Sequence, residues 1–112
     1  MNSRLAMMGM LAGAAMSCAG VPLPKEQLTD PGALLFNGYV RPDIDCFSCH
    51  NGDAKGARAP SLARETRSLS AEKLGAIIRQ GPGPMPAYGK DVLGDEELAQ
   101  IVGWLKASFP AP

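Results

Sequence analysis

Two of the chain's three cysteines and its only histidine fall within five consecutive residues, Cys46-Phe47-Ser48-Cys49-His50. The spacing C-x-x-C-H is the pattern of covalent c-type haem attachment. On one turn of helix the two thiols stand close enough to add across the two vinyl groups of a haem, and the next residue projects its imidazole beneath the iron. Three bonds to one large planar group then come from a single turn, and a chain tied in this way must fold around that group. Other chemistries need residues the chain lacks. Structural zinc takes four ligands, typically from two cysteine pairs, and there is no second pair and no other histidine. A thioredoxin-like redox pair sits at a helix start after a strand, and no βαβ pattern is visible. A disulfide between Cys46 and Cys49 would be strained, and it would close too small a loop to constrain the unfolded chain.

A large apolar cofactor also answers a shortage in the composition. The 112 residues include 13 glycines and 10 prolines, while Phe, Trp and Tyr make up 5%. Chains of this size bury only about two thirds of their unfolded surface, so a macrocycle would supply core that the side chains do not. The 11 basic and 11 acidic groups balance, leaving no charge excess to attract nucleic acid.

The opening "MNSRLAMMGMLAGAAMSCAG" has the form of an export signal: Arg4 as the basic start, an uncharged stretch from Leu5 to Met16, then small residues. Twelve helical residues span roughly 18 Å, too short for a hydrocarbon core of ~30 Å. Ser17-Cys18-Ala19 suits an ordinary signal peptidase, and "AMSCAG" also resembles a bacterial lipobox in which Cys18 becomes lipidated and forms the new N-terminus. The lipobox reading is preferred, because Cys18 is otherwise a leftover thiol in an exported chain. The expected organisation is a lipoprotein-type signal peptide at 1–17, a flexible tether at 18–30 and one folded domain at 31–112. This places the protein in the bacterial periplasm, anchored to the membrane through Cys18.

With Met1, Met7, Met8, Met10 and Met16 in the leader, Met85 is the one methionine of the mature chain. It sits in "GPGPMPAYG", residues 81 to 89, between Pro84 and Pro86, which fix φ on both sides, and after Gly81 and Gly83, which permit tight turning. A stiffened loop of this kind presents a thioether at a defined point, so Met85 is the candidate sixth ligand of the iron, opposite His50. Tyr88 and Arg58 are candidates to reach the haem propionates.

The rest of the chain reads as helices around that centre. Asp30 and Pro31 give an N-cap and first-turn proline for a helix over roughly 31–39. "VRPDID" leads into the short cysteine-bearing helix, and "NGDAKGARAPSLARET" follows as a glycine-rich loop along one haem edge. Ser70 caps a helix over about 71–80, with Leu74, Ile77 and Ile78 at i, i+3, i+4 spacing and Gly81 marking its end. A final helix runs over about 95–108: Asp95, Glu96 and Glu97 suit its positive end, and Leu98, Ile101, Val102 and Leu105 form its apolar stripe.

Taken in order, "GALLF" before "CFSCH", the proline-leucine step in "APSL", "GPMPAYG" and the closing "LGDEELAQIVGWLK" resemble the small class I cytochrome c family over roughly residues 31 to 108. The resemblance implies an all-α fold of three to five helices around one covalently attached haem c, held by Cys46 and Cys49 with His50 and Met85 as axial ligands. It implies that the first and last helices cross closely, with Gly32 allowing approach and Phe36 near Ile101 and Trp104. It also implies that the Pro60 carbonyl accepts a hydrogen bond from the His50 ring. The longer stretch between Phe36 and Cys46 leaves either Phe36 or Tyr39 for the usual aromatic packing place. A site closed on both faces by protein ligands suits one-electron transfer rather than substrate turnover. The expected function is thus a non-enzymatic monohaem carrier between larger redox proteins, as a monomer. Two alternatives stay open: an electron-entry subunit of a dehydrogenase or oxidase complex, or a haem sensor or peroxidase with a labile Met85.

Overall fold

In the computed structural model, residues 19–112 are described. The expected leader at 1–17 and Cys18 lie outside the described residues. Five helices follow in order: α1 (Pro31–Phe36), α2 (Phe47–His50), α3 (Ala63–Ser68), α4 (Ala71–Gln80) and α5 (Asp95–Ser108), with a 3-10 turn at Lys25–Gln27 before them. Among the described residues there is no strand, so the fold is all-helical. No described helix is long and apolar enough to cross a membrane.

α1 begins where sequence places it. The Asp30 carboxylate accepts the N–H groups of Gly32 (2.8 Å) and Ala33 (3.4 Å), and Pro31 occupies the first turn. The helix ends at Phe36, three residues short of expectation, because Asn37 competes for its carbonyls. Both the backbone N–H and side-chain Nδ2 of Asn37 donate to Ala33 O, at 3.0 and 2.9 Å, and Gly38 then turns the chain at φ 77°.

α1 crosses α5 at Gly32. A Cβ there would overlap the carbonyl oxygen of Gln100 and stand 2.9 Å from Trp104 Cβ, so only glycine permits this approach. The contact brings Phe36, 1% exposed, to 5.0 Å between ring centroids from Trp104 and into one core cluster with Ile101 and Leu105. Burying each such side chain contributes roughly 1.5–3 kcal/mol. Phe36 thus takes the aromatic packing place, while Tyr39, only partly buried, donates its hydroxyl to Leu23 O at 2.6 Å.

α4 and α5 have the expected limits. Ser70 Oγ accepts from Lys73 N–H at 3.1 Å, and Gly81 closes α4 in the left-handed region at φ 61°. Glu97 Oε1 caps α5 by accepting from Gly94 N–H at 3.1 Å. α3 falls inside and just beyond the segment read as loop. Its only buried residue is Thr66, and its C-terminal end is held by Lys106 of α5, which donates to the carbonyls of Thr66 (2.8 Å) and Leu69.

Residues 20–23, read from sequence as part of a tether, run hydrogen-bonded along the domain. Gly20 N–H reaches Ser48 O (2.9 Å), Val21 pairs with Asn51 and Gly52, and Leu23 N–H reaches Asn37 Oδ1 (2.8 Å). Extended backbone held through its own amides leaves no periodicity in the side chains.

Candidate functional site

A four-residue helix cannot satisfy its own carbonyls, and α2 depends on its surroundings for this. Every backbone carbonyl from Asp45 to His50 finds a donor: Ser48 for Asp45, Cys49 and His50 for Cys46, Asn51 for Phe47, Gly20 for Ser48, Ala59 for Cys49, and Gly56 for His50. The last two contacts require the chain to reverse immediately after His50. Asn51 (φ 68°), Ala54 (φ 62°) and Gly56 (φ 108°) supply the left-handed turns. The returning limb lays Pro60 beside the histidine ring, with Pro60 O 3.4 Å from His50 Nδ1.

That contact assigns the tautomer. A carbonyl only accepts, so the ring proton sits on Nδ1 and Nε2 keeps its lone pair for a metal. Burial holds the imidazole below its usual range, partly offset by the Pro60 bond, and so favours the neutral ring that ligation needs. Burial also pushes the Cys46 thiol up to about 12. A protonated, partly buried thiol is the opposite of the acidified thiolate in a redox-exchange pair. Cys46 and Cys49 form no disulfide, and among the described residues no group of three or more His, Cys, Asp or Glu converges as a metal site.

The second wall is the loop from Gly81 to Gly94. A Cβ on Gly81 would overlap the backbone of Pro86 and Ala87, so the loop closes on its own origin. Pro82, Pro84 and Pro86 have no N–H to give, and Met85 N–H makes a tight turn onto Pro82 O at 3.1 Å. Tyr88 N–H then returns to Ile78 O at 3.2 Å.

Two arginines that the sequence reading passed over fasten the rest of this loop. Arg79 donates to Tyr88 O (3.1 Å), Leu93 O (2.5 Å) and Asp95 Oδ1 (2.7 Å). Arg41 makes a two-pronged pair with Glu97 (2.7 and 2.8 Å) and donates to Val92 O (2.8 Å). No sequence signal marks either one, because the backbone carbonyls they take lie 9 to 51 positions away.

Between the walls lies a cavity of about 510 Å³, within the ~300–1,000 Å³ usual for cofactor sites. Cys46, Cys49, His50, Arg58 and Pro60 line one side, and Pro82, Pro84, Met85, Pro86 and Tyr88 the other. All four residues nominated from sequence as haem ligands or attachment points thus face one space. Its surface is mostly apolar, with polar groups confined to a few side chains. Tyr88 is 8% exposed, and burial raises its phenol to about 12, so it stays neutral. An apolar slot bearing two thiols, a neutral imidazole with Nε2 free, and a thioether from a separate loop fits a covalently held haem.

Comparison with known proteins reaches the same group independently. A family model described as cytochrome c oxidase, cbb3-type, subunit III matches residues 27–105. Cytochrome c-551 of Bacillus subtilis (strain 168) is 31% identical over 111 residues, which cover 94% of this chain and 96% of that protein. No solved structure matches. The chain belongs to the cytochrome c family, as a small monohaem member whose cofactor is a covalently bound haem c.

Proposed function

We propose that this haem-based electron carrier attaches its cofactor through Cys46 and Cys49 and holds the iron between His50 and Met85, shuttling one electron at a time between larger redox proteins at the bacterial membrane without catalysing a reaction of its own. The observation that carries this reading is the convergence of all four side chains on one apolar cavity, from two segments 35 residues apart. When bound, the haem supplies a ferric–ferrous couple, and a thioether ligand favours the ferrous form. His50 is oriented by Pro60, Met85 by its prolines, and the apolar walls exclude water, so little needs to reorganise on electron transfer. The balanced charge gives weak electrostatic steering, so transfer rates should change little with added salt.

Exchanging Met85→Ala in protein matured with haem tests the ligand set. The covalent mass should remain while the iron changes spin state and its potential falls; an unchanged spectrum removes Met85 from the site. Export and lipidation at Cys18 rest on the leader alone. Cys18→Ser should release the protein from membranes, and recovery of the unmodified protein without detergent would favour simple secretion.

The family's description also names an oxidase subunit, which keeps open a role as electron-entry subunit of a complex. The likeness to almost the full length of a small cytochrome favours a carrier. Co-purification with a larger enzyme would decide for the subunit.

A further inference from the structure

We propose that Arg79 is a positioning residue for Met85: its guanidinium fixes the downstream limb of the methionine loop and thereby sets how readily the thioether is displaced from the iron. The inference rests on the reading of Met85 as axial ligand.

Among the described residues, one backbone hydrogen bond, Met85 N–H to Pro82 O, lies wholly within 82–87. The next fastening downstream is Tyr88, and it is held twice from consecutive residues of α4: its N–H by Ile78 O at 3.2 Å and its carbonyl by Arg79 Nη1 at 3.1 Å. Three residues of extended chain reach at most about 10 Å, so freedom at Tyr88 becomes freedom at Met85. The same guanidinium takes Leu93 O, tying both ends of the 88–93 return to one planar group.

An ordinary surface ion pair does not account for Arg79. Its side chain is 20% exposed, whereas Asp95 is 72% exposed, and so exposed a partner contributes little. The carbonyl bonds come from a largely buried charge and are the strong ones. Both carbonyls are taken by Nη1 alone, so a lysine ammonium, on a stem without the planar guanidinium, reproduces these bonds only in part.

The test uses haem-loaded protein and measures the affinity of the ferric form for added imidazole, the reduction potential and the melting temperature. Arg79→Gln should raise imidazole affinity about tenfold, the equivalent of one charged hydrogen bond, and lower the potential, with Arg79→Lys intermediate. Asp95→Asn, which spares the carbonyl bonds, and Arg41→Gln, which frees Val92 but not Tyr88, should stay within about twofold of the wild type. Arg79→Gln should have no further effect on ligand affinity once Met85→Ala is present. Unchanged affinity in Arg79→Gln, or an equal rise in Arg41→Gln, overturns the positioning role while leaving Met85 as ligand. If Met85→Ala leaves the wild-type spectrum intact, ligation itself is wrong and the role falls with it.

Discussion

Around His50, the carbonyls of six consecutive residues are all taken, by donors from the helix itself, the returning loop and the N-terminal segment. Around Met85, six residues share one internal backbone hydrogen bond, and three of them are prolines. The histidine wall is rigid because native bonds hold it. The methionine wall is stiff because its unfolded alternatives are few, and it is pinned only at its ends, by Gly81, Ile78 and Arg79. A ligand on the first wall can leave only if the fold opens, whereas one on the second can leave by a loop motion that spares the core. The two proposed ligands, His50 and Met85, are therefore expected to differ in lability by construction, before any difference between nitrogen and sulfur is considered.

The largest test removes the link between the walls. In the double variant Cys46→Ala, Cys49→Ala, a haem attached as proposed should no longer be retained. Intact mass should fall to that of the polypeptide, and the cooperative melting transition should be lost, since binding energy is folding energy here. A colourless variant that still melts cooperatively near the wild-type temperature would show that the side-chain core stands alone.

Asn37→Ala strikes the histidine side. Asn37 is 1% exposed and joins three segments: Oδ1 accepts from Leu23 N–H, and Nδ2 donates to Ala33 O and Gly52 O (3.3 Å). Losing these bonds in the interior should cost about 2–4 kcal/mol in urea denaturation, without altering the affinity of the ferric protein for imidazole. Pro84→Ala with Pro86→Ala should do the reverse. Each change frees the unfolded loop by about 0.4–1 kcal/mol, a small loss in melting temperature but a several-fold rise in imidazole affinity. If Asn37→Ala loosened the sulfur ligand as much as the proline pair does, the two walls would not be independent.

The same contrast governs what could be read from the sequence. α4 and α5 were legible to the residue because caps, stripe and stop signal agree: Ser70 with Gly81, and the acidic first turn of α5 with its Ile101 and Leu105 face. The site residues were legible because their spacing is local or their chemistry unique in the chain. The close crossing at Gly32 was accessible through family resemblance, whereas no pattern announced it. α3 was missed because it buries only Thr66 and owes its hold to Lys106, some 40 residues on. Arg79 and Arg41 were missed for the same physical reason: the partner of a side chain that donates to distant carbonyls is fixed by topology, and local sequence carries no trace of it.

Glu97→Gln makes the smallest and most selective change. Hydrogen bonds from Arg41 and from Gly94 N–H hold the Glu97 carboxyl down to about 2, against an ordinary 4.5. The folded state therefore prefers the ionised form, and this stabilisation is fully present above about pH 4.5 and lost as pH falls toward 2. The stability gap between wild type and Glu97→Gln should accordingly be constant near neutrality, shrink below about pH 4.5 and close near pH 2. Taking the difference cancels carboxylates common to both proteins, including Asp53, which is held low chiefly by Asn51. Both partners are about one third exposed, so added salt should narrow the gap further. Arg41 loses its charged partner in this variant, yet Arg79 still grips Tyr88, so imidazole affinity should not follow the stability. A gap that widened with acid would mean the ionised carboxylate opposes folding, contrary to its bonds; an affinity that tracked the gap would mean that the tail of the loop, and not its Tyr88 limb, holds the sulfur in place.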